Sequence, residues 1–351
     1  MAIKLDSFDI LSDGREVQKI TLTNKRGTEV SLLTLGATIQ SFRFVGKDIV
    51  LGFDKAAHYF ASGAYIGATV GRVCNRTADG KFSLNDKIYT LVCNEPDRRV
   101  HLHGGAVGFD KKLWNYQVIR DESDPEVAFT AISADGEEGY PGCLWMRVTY
   151  TLTEHDELKL AYHVETDADT PINMTNHAYF NLNGCDGDTV HNIFLQINAD
   201  EYTPVTERLV PTGEFAPVAD TALDFRIAKP IGLALDNEDH TMLYTGGVDH
   251  NFVLSRTRGP MKEAACAYSP ATGIRLSCFT DLPGLQVYTG NFLDEPGGKY
   301  GLRWGKHHGF CLETQYFANS VNEPNFPSII VKAGESYDAC TVYSLTMDGR
   351  E

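Results

Sequence analysis

The chain has 351 residues, and its 31 basic and 47 acidic side chains give a formal net charge of −16. A chain this acidic lacks the basic surface that binds nucleic acid or anionic membranes, so we expect neither partner. Hydrophobic residues make up 42% of the chain, which is ordinary for a globular protein with a full core. The longest uncharged stretch, between Lys55 and Arg72, is too short and too broken by polar residues and glycines to span a membrane.

The eight cysteines form no CxxC pair and no closely spaced framework. In a chain of this length, that spacing is typical of reduced thiols in a reducing compartment. The N-terminal segment contains Lys4, Asp6 and Asp9 and lacks the apolar run of a signal peptide. The sequence therefore predicts a cytoplasmic protein.

Taken in chain order, the pattern is one of short strands separated by turns. Alternating apolar residues on both sides of Asn24–Gly27 predict a hairpin. Gly46–Asp48 predicts a turn, and the apolar run Ile49–Phe53 predicts another short strand. Further along, consecutive antiparallel strands are predicted over residues 127–132, 147–152 and 158–164.

Helical periodicity is almost absent from the chain. Single helical turns are predicted only around residues 54–60 and 233–239. The density of short strands favours an all-β sandwich or barrel over an α/β fold. Because there is no linker, low-complexity segment or clear repeat, we expect a single domain over residues 1–351.

His177 stands out because it lies among amides and aromatic residues in a segment that otherwise resembles a strand. Its neighbours Asn176 and Asn181 are weak strand formers, so propensity alone does not explain their presence. The histidine is either a hydrogen-bonded core residue or a functional group that titrates near neutral pH.

A metal site has to be considered at His101 and His103, because residues i and i+2 on a strand point to the same face. A cupin-like site would also need a glutamate shortly afterwards, where this chain has Ala106–Gly108. The pair His307–His308 lies in a turn rich in Lys and Gly and is predicted to be solvated. The sequence predicts neither a metal nor another cofactor.

Other polar residues have two interpretations each. Arg72 and Arg76 flank the amide of Asn75, which suits polyol binding, but they also fit ordinary surface charges. Glu313 follows the apolar run Phe310–Leu312, so it is either a paired structural carboxylate or a base whose pKa burial raises. Motifs for a serine nucleophile, a P-loop or a dinucleotide site are absent, and the remaining polar and aromatic residues favour sugar binding.

Six short motifs, in order along nearly the whole chain, resemble the aldose 1-epimerase family. They are GRVCNR at 71–76, LHGG at 102–105, TNHAYFNL at 175–182, VDHNF at 248–252, PGLQVYTGNF at 283–292 and GFCLETQ at 309–315. The resemblance implies one large antiparallel β-sandwich with few short helices and an open carbohydrate cleft. It also implies interconversion of the α- and β-anomers of free aldoses such as D-galactose and D-glucose, without a metal or cofactor.

The resemblance also implies a role for particular residues. His177 would protonate the ring oxygen, Glu313 would take the proton of the C1 hydroxyl, and His103 would lie near the ring oxygen. Sugar hydroxyls would be bound by Asn75, Arg76, Asp249 and Gln286. We expect His177 to be protonated and Glu313 ionised in the sugar complex, since opposite charges stabilise each other. We expect a small aldose as the partner, and a monomer or weak homodimer.

Three other functions stay open at this point. The first is a non-catalytic carbohydrate-binding domain on the same fold. The second is a hexose-6-phosphate 1-epimerase, in which Arg72, Arg98 and Arg99 would bind the phosphate. The third is a glycoside hydrolase that uses Asp249 and Glu313 as a carboxylate pair.

Overall fold

The computed structural model describes residues 1–237 and 239–349, which fold mainly as strands. The strands are β1 (Ile3–Ile10), β2 (Glu16–Thr23), β3 (Glu29–Leu33), β4 (Thr38–Phe44), β5 (Lys47–Asp48), β6 (Thr69–Val70), β7 (Arg76–Ala78), β8 (Lys81–Leu84), β9 (Lys87–Thr90), β10 (Val100–Leu102), β11 (Asn115–Arg120), β12 (Glu126–Ser133), β13 (Leu144–Leu152), β14 (Glu157–Thr166), β15 (Thr170–Pro171), β16 (Thr175–Asn176), β17 (Tyr179–Phe180), β18 (Phe194–Ile197), β19 (Glu201–Thr203), β20 (Ala216–Pro217), β21 (Lys229–Pro230), β22 (Asp249–Val253), β23 (Lys262–Tyr268), β24 (Ile274–Thr280), β25 (Gly284–Tyr288), β26 (Phe310–Gln315), β27 (Ile330–Val331) and β28 (Ser336–Met347). The α-helices are α1 (Ala56–Ala61) and α2 (Ile231–Leu235). Neither helix, nor any other in the described ranges, is long and apolar enough to cross a membrane.

Two large sheets pack face to face in the described part of the chain. One has nine strands in the order β11-β12-β13-β14-β28-β24-β23-β18-β21, and the other has six in the order β17-β26-β25-β22-β19-β20. Leu160 and Tyr343 of the first sheet belong to the same apolar cluster as Leu285 and Leu312 of the second. The Tyr343 hydroxyl also donates to the Leu312 carbonyl, at 2.8 Å. The predicted all-β sandwich is therefore confirmed.

The strand β26 is buried on both faces, and this arrangement creates the site. Alternate residues of a strand point to opposite sides of its sheet. Phe310 and Leu312 therefore face the shared core, whereas Cys311 and Glu313 face away from it, and all four are buried. The face of the six-stranded sheet that lies opposite the core thus carries polar side chains that water barely reaches.

Most of the local predictions are confirmed. Strands β12, β13 and β14 cover the predicted antiparallel run, and β2 and β3 form the predicted hairpin. In its turn Gly27 has a φ of +81°, which favours glycine. The helical turn predicted at 54–60 is α1, and the one predicted at 233–239 begins earlier, at Ile231. Glu238, within that second prediction, lies outside the described residues.

The strand predicted at Ile49–Phe53 is wrong, and the strand lies instead at Lys47–Asp48, where a turn was predicted. The apolar run forms only single bridges, from Val50 to Phe180 and from Phe53 to Gly298. Its backbone bonds are divided between two segments, since Ile49 donates to the Phe42 carbonyl, next to the β4–β5 pairing, and Leu51 donates to the Tyr179 carbonyl. The run is apolar because it is buried between elements, not because it is part of a ladder.

Candidate active site

A cavity of about 330 Å³ opens on the polar face of the six-stranded sheet. This volume is at the lower end of the range for small-molecule sites. The predicted site residues that line it are Asn75, Arg76, His103, His177, Asp249 and Glu313. Gln286 does not line the cavity; its side-chain amide donates to Oδ1 of Asp249, at 2.6 Å. The structure therefore brings together all the predicted residues but places Gln286 behind Asp249.

The register of three strands sets the sheet side of the cavity. Gln286 on β25 pairs with Glu313 on β26, and Asp249 on β22 pairs with Tyr288 on β25. Tyr288 in turn pairs with Cys311. Directly opposite residues of neighbouring strands lie on the same face. The carboxylates of Asp249 and Glu313 are therefore held by continuous ladders rather than by loops.

Asn75 and His103 form the opposite wall, beside the short ladder of β7 and β10. The His103 backbone N–H donates to the Asn75 carbonyl, and the Asn75 backbone N–H donates to Nδ1 of the His103 ring, both at 3.1 Å. Arg76 donates from Nε to Glu95 at 2.7 Å, and its Nη1 lies 3.9 Å from Oδ2 of Asp249. The guanidinium thus lies between two carboxylates at the cavity wall.

His177 occupies the link between β16 and β17. Its backbone N–H donates to the Ala68 carbonyl, and its carbonyl accepts from Gly67. The Asn176 side chain donates to the Gly67 carbonyl at 2.9 Å, and Asn181 donates to the carbonyls of Asp188 and His308, at 2.8 Å each. These weak strand formers therefore fix the backbone around His177 rather than its ring.

Aromatic rings hold the His177 imidazole in place. Tyr179 stacks on it with ring centroids 5.0 Å apart, and Tyr65 lies roughly parallel at 6.1 Å. The His103 ring meets it edge-on at 5.3 Å. The ring Nε2 lies 3.6 Å from Oε1 of Glu313, which is beyond a direct hydrogen bond. The two side chains are thus adjacent without forming a hydrogen bond to each other.

Burial disfavours the charged forms of these groups. It lowers the pKa of His177 to about 4 and raises the pKa of Glu313 well above its usual range. The Asp249 carboxylate also raises the pKa of Glu313, whereas Arg76 opposes the shift. We expected a protonated histidine and an ionised glutamate in the sugar complex, but in this structure burial favours neutral His177 and protonated Glu313. Both arrangements contain one proton, so they differ only in which group carries it.

One oxygen of the Glu313 carboxyl is unpaired within the described residues. Its Oε2 is buried and has no hydrogen-bond partner among the described residues. A buried polar atom without a partner is rare in folded proteins and costs free energy. The fold tolerates this cost in a side chain that lines the polar cavity.

A metal is not favoured by the donor set, although ligand atoms of His103, His177 and Glu313 lie within 4.8 Å of one another. Burial and the neighbouring His177 lower the pKa of His103 well below its usual value, so its ring is neutral. Because Nδ1 accepts the Asn75 N–H, the ring hydrogen is on Nε2. Neither nitrogen of His103 is therefore a free ligand, and Nε2–H is a donor directed by its backbone partner.

Two histidine predictions are wrong. His101 and His103 do not share a face, because β10 ends at Leu102 and His103 has a positive φ of 52°. His101 instead donates from Nδ1 to the Val92 carbonyl and accepts from Tyr140. His307 is buried, not solvated, because its turn folds back so that Nδ1 donates to the Thr289 carbonyl.

Arg72 is neither a surface charge nor a sugar ligand. Its side chain is buried, and its guanidinium donates to the carbonyls of Pro141 and Gly142 and to the Ser133 hydroxyl. Arg98 pairs with Glu95, and Arg99 pairs with Asp79. Arg72 and Arg99 are therefore engaged away from the cavity, whereas the partner of Arg98, Glu95, is a residue of the cavity wall.

Several lining residues were not predicted from the sequence. Tyr179 and Tyr288 lie inside the quoted motifs, so the alternation of their strands indicates them. Glu95, which pairs with Arg76, lies in a loop 19 residues further along the chain, and no sequence motif marks it. Tyr65 has a positive φ of 53°, stacks on His177 and packs at a tilt against His103, which no sequence period reveals.

Comparisons with known proteins agree with this geometry. The family model described as Aldose 1-epimerase matches residues 18–344. Galactose mutarotase of Homo sapiens is 41% identical over 97% of each chain, and aldose 1-epimerase of Escherichia coli K12 is 36% identical over 94% of this chain and 96% of its own. The crystal structure of galactose 1-epimerase from Lactobacillus acidophilus is similar, with a TM-score of 0.87, 30% identity and 98% of each chain covered. The chain therefore belongs to the aldose 1-epimerase family.

Proposed function

We propose that the cavity interconverts the anomers of free aldohexoses, with Glu313 as base and His177 as acid. Membership of the family makes the chain an aldose 1-epimerase, which is an isomerase. The observation that carries the assignment is the 3.6 Å separation between Nε2 of His177 and Oε1 of Glu313, in a cavity of hexose size. In a cyclic sugar, the C1 hydroxyl and the ring oxygen are bonded to the same carbon. A base and an acid that serve these two atoms must therefore be close neighbours.

The reaction follows from this placement. With the shared proton on His177, ionised Glu313 removes the C1 hydroxyl proton while the His177 imidazolium protonates the ring oxygen, and the bond between C1 and the ring oxygen breaks to leave an open-chain aldehyde. Rotation about C1–C2 presents the other face of the aldehyde, and the ring closes with the two groups in exchanged roles. No proton is consumed overall. Each well-placed group contributes on the order of 10²–10⁴-fold to the rate.

The remaining wall residues would bind and orient the sugar. His103 would donate from Nε2–H to the ring oxygen or a neighbouring hydroxyl, since Asn75 fixes that tautomer. Asn75, Arg76 and Asp249 offer donors and acceptors to the other hydroxyls, and Gln286 would act through Asp249. Polarimetry with freshly dissolved α-D-galactose, α-D-glucose, xylose and arabinose tests both the activity and the preferred aldose. A chain that binds these sugars but does not change the approach to anomeric equilibrium would be a non-catalytic binding domain.

The pH dependence should report the shared proton of the pair. We expect kcat/KM to be level through neutral pH and to fall on the acid side with a pKa near 4, because a second proton on His177 leaves no base. On the alkaline side it should fall only above the usual carboxyl range, when the pair loses its last proton. The measurement is polarimetry in matched buffers, with the uncatalysed rate subtracted at each pH. An acid limb at the ordinary histidine pKa of 6.5 would contradict the assignment.

Asp249 and Gln286 should differ in their effect on binding. Asp249→Asn removes a charged acceptor that lines the cavity, so we expect KM to rise by about 10-fold or more. Gln286→Leu removes a neutral partner of that acceptor, so the rise should be only about 2- to 10-fold. Steady-state polarimetry measures both values. A larger KM effect for Gln286→Leu than for Asp249→Asn would mean that Gln286 contacts the sugar directly.

We further propose that residues 1–351 form one domain that works as a monomer or weak homodimer in the cytoplasm. The shared apolar core of the two large sheets supports a single unit. The assigned wall residues all come from one chain, so a second copy is not needed to complete the cavity. The eight cysteines are free thiols, which fits a reducing compartment. Size-exclusion chromatography with light scattering, at several concentrations, tests the assembly.

A further inference from the structure

Glu95 lines the cavity but has no role in the reaction as described. Its Oε2 accepts from Nε of Arg76 at 2.7 Å, and its Oε1 makes a longer contact with Nη2 of the same guanidinium, at 3.4 Å. Two oxygens opposite two nitrogens form the fork-shaped pairing that fixes the orientation of a guanidinium. The third nitrogen, Nη1, donates to no acceptor among the described residues and lies 3.9 Å from Oδ2 of Asp249.

The backbone brings Glu95 to this position. Glu95 and Val100 exchange two backbone hydrogen bonds of 3.3 Å each, which fold the intervening loop back beside β10. Leu102 on β10 pairs in turn with Arg76 on β7. On its more exposed side, Oε1 of Glu95 accepts from Arg98 at 3.0 Å. The Glu95 carboxylate is therefore held by its own loop and by a second arginine while it pairs with Arg76.

The other carboxylate beside Arg76 is farther away. The 3.9 Å between Nη1 of Arg76 and Oδ2 of Asp249 exceeds the length of a hydrogen bond. Oδ1 of Asp249 accepts from the Gln286 amide, whereas no described residue donates a hydrogen bond to Oδ2. A donor and an acceptor thus lie on opposite sides of a gap. One sugar hydroxyl in that gap can accept from Nη1 and donate to Oδ2, because a hydroxyl does both.

We infer that Glu95 is a positioning residue, which holds Arg76 away from Asp249 and so keeps the gap between Nη1 and Oδ2 open for a sugar hydroxyl. This inference rests on the proposed binding of sugar hydroxyls by Arg76 and Asp249. Opposite charges at a poorly hydrated site attract strongly, so an unrestrained guanidinium would close on Asp249. The sugar would then have to break that ion pair in order to bind. Glu95 prevents this closure because it pairs with Arg76 from the other side.

A double-mutant cycle tests this role through KM, measured by polarimetry. We expect Glu95→Gln to raise KM about 3- to 10-fold with kcat within about twofold, because the amide keeps one acceptor but loses the charge that holds the guanidinium. In an Arg76→Met background, the same change should alter KM by less than about twofold, since its effect passes through Arg76. An equal KM effect in both backgrounds would overturn the inference, because Glu95 would then act on the sugar without Arg76.

The matched control for Glu95→Gln is Asp79→Asn. Asp79 is also a carboxylate held by two arginines, with Arg99 at 3.1 Å and Arg208 at 2.9 Å, but it does not line the cavity. We expect this variant to keep KM within about twofold of the unmodified chain, as is usual for a surface substitution. A KM rise equal to that of Glu95→Gln would overturn the inference, because the loss of any ion pair in this region would then be sufficient.

Crystal structures give a second readout that does not depend on turnover. In a complex of the unmodified protein with D-galactose, one sugar hydroxyl should lie within hydrogen-bond distance of both Nη1 of Arg76 and Oδ2 of Asp249. In sugar-free Glu95→Gln, those two atoms should approach to hydrogen-bond distance, and a gap that stays at 3.9 Å would overturn the inference. A galactose that contacts Glu95 instead of Nη1 would overturn it even if the variant failed to fold. Failure of the unmodified chain to speed anomeric equilibration would instead contradict the proposed function, so the two failures are distinct.

Discussion

Glu313→Gln is expected to lower kcat by about 10²–10⁴-fold, the contribution of one well-placed general base. The change keeps the shape of the side chain but removes its ability to take the C1 hydroxyl proton. The surrounding buried side chains need not move. Because burial raises the pKa of Glu313 and favours its protonated form, the neutral amide of glutamine closely resembles the neutral carboxyl. The loss should therefore appear in the rate and not in the stability of the fold.

The experiment compares polarimetric rates with thermal unfolding of the same preparations. Glu313→Asp is the matched variant, since it keeps the acid but withdraws it from the cavity by one methylene. We expect it to retain more activity than Glu313→Gln. If Glu313→Gln kept more than about a tenth of the rate, the base would have to be another group, because a general base supplies at least ~10²-fold.

Arg72→Met is expected to destabilise the fold by about 3–5 kcal/mol, because several buried acceptors lose their donor at a cost of about 1–3 kcal/mol each. The guanidinium is buried and satisfies the carbonyls of Pro141 and Gly142 and the hydroxyl of Ser133. Methionine fills a similar volume but leaves these acceptors without a donor, and unpartnered buried groups carry the full desolvation penalty. The expected result is a lower urea midpoint.

The control for this prediction is Arg147→Met, on the exposed face of β13. A surface substitution of that kind usually changes stability by less than about 0.5 kcal/mol. Arg72→Met protein that remains folded should keep its KM, because the residue does not line the cavity. A change of less than about 1 kcal/mol would mean that the surrounding chain relaxes to satisfy those acceptors.

Much of the fold could be predicted from strand patterns, because the alternation of apolar and polar residues is a local property of the sequence. The run from β12 to β14 and the hairpin at Gly27 could be predicted, since each depends on a few consecutive residues. The run Ile49–Phe53 could not, because a segment buried on every side is apolar whether or not it belongs to a ladder. Composition alone does not separate these cases.

The site was predictable where its residues lie in recognisable motifs and unpredictable where pairing is long-range. His177, Glu313 and Asp249 were assigned from motifs, and the structure places them in one cavity. The position of Gln286 behind Asp249 depends on how neighbouring strands tilt their side chains, which sequence does not encode locally. The burial of Arg72 was missed because its acceptors come from a distant loop that closes over it.

Because both faces of β26 are buried, the strand limits which substitutions the protein can accept. Glu313 and Cys311 alternate with Phe310 and Leu312, so this single strand separates the hydrophobic core from the cavity. A substitution on the core side that shifts the backbone slightly will move the base as well. We therefore expect substitutions of Leu312 in the core to lower the catalytic rate before they unfold the protein. Substitutions should be tolerated better at exposed lining residues of the cavity, such as Phe292.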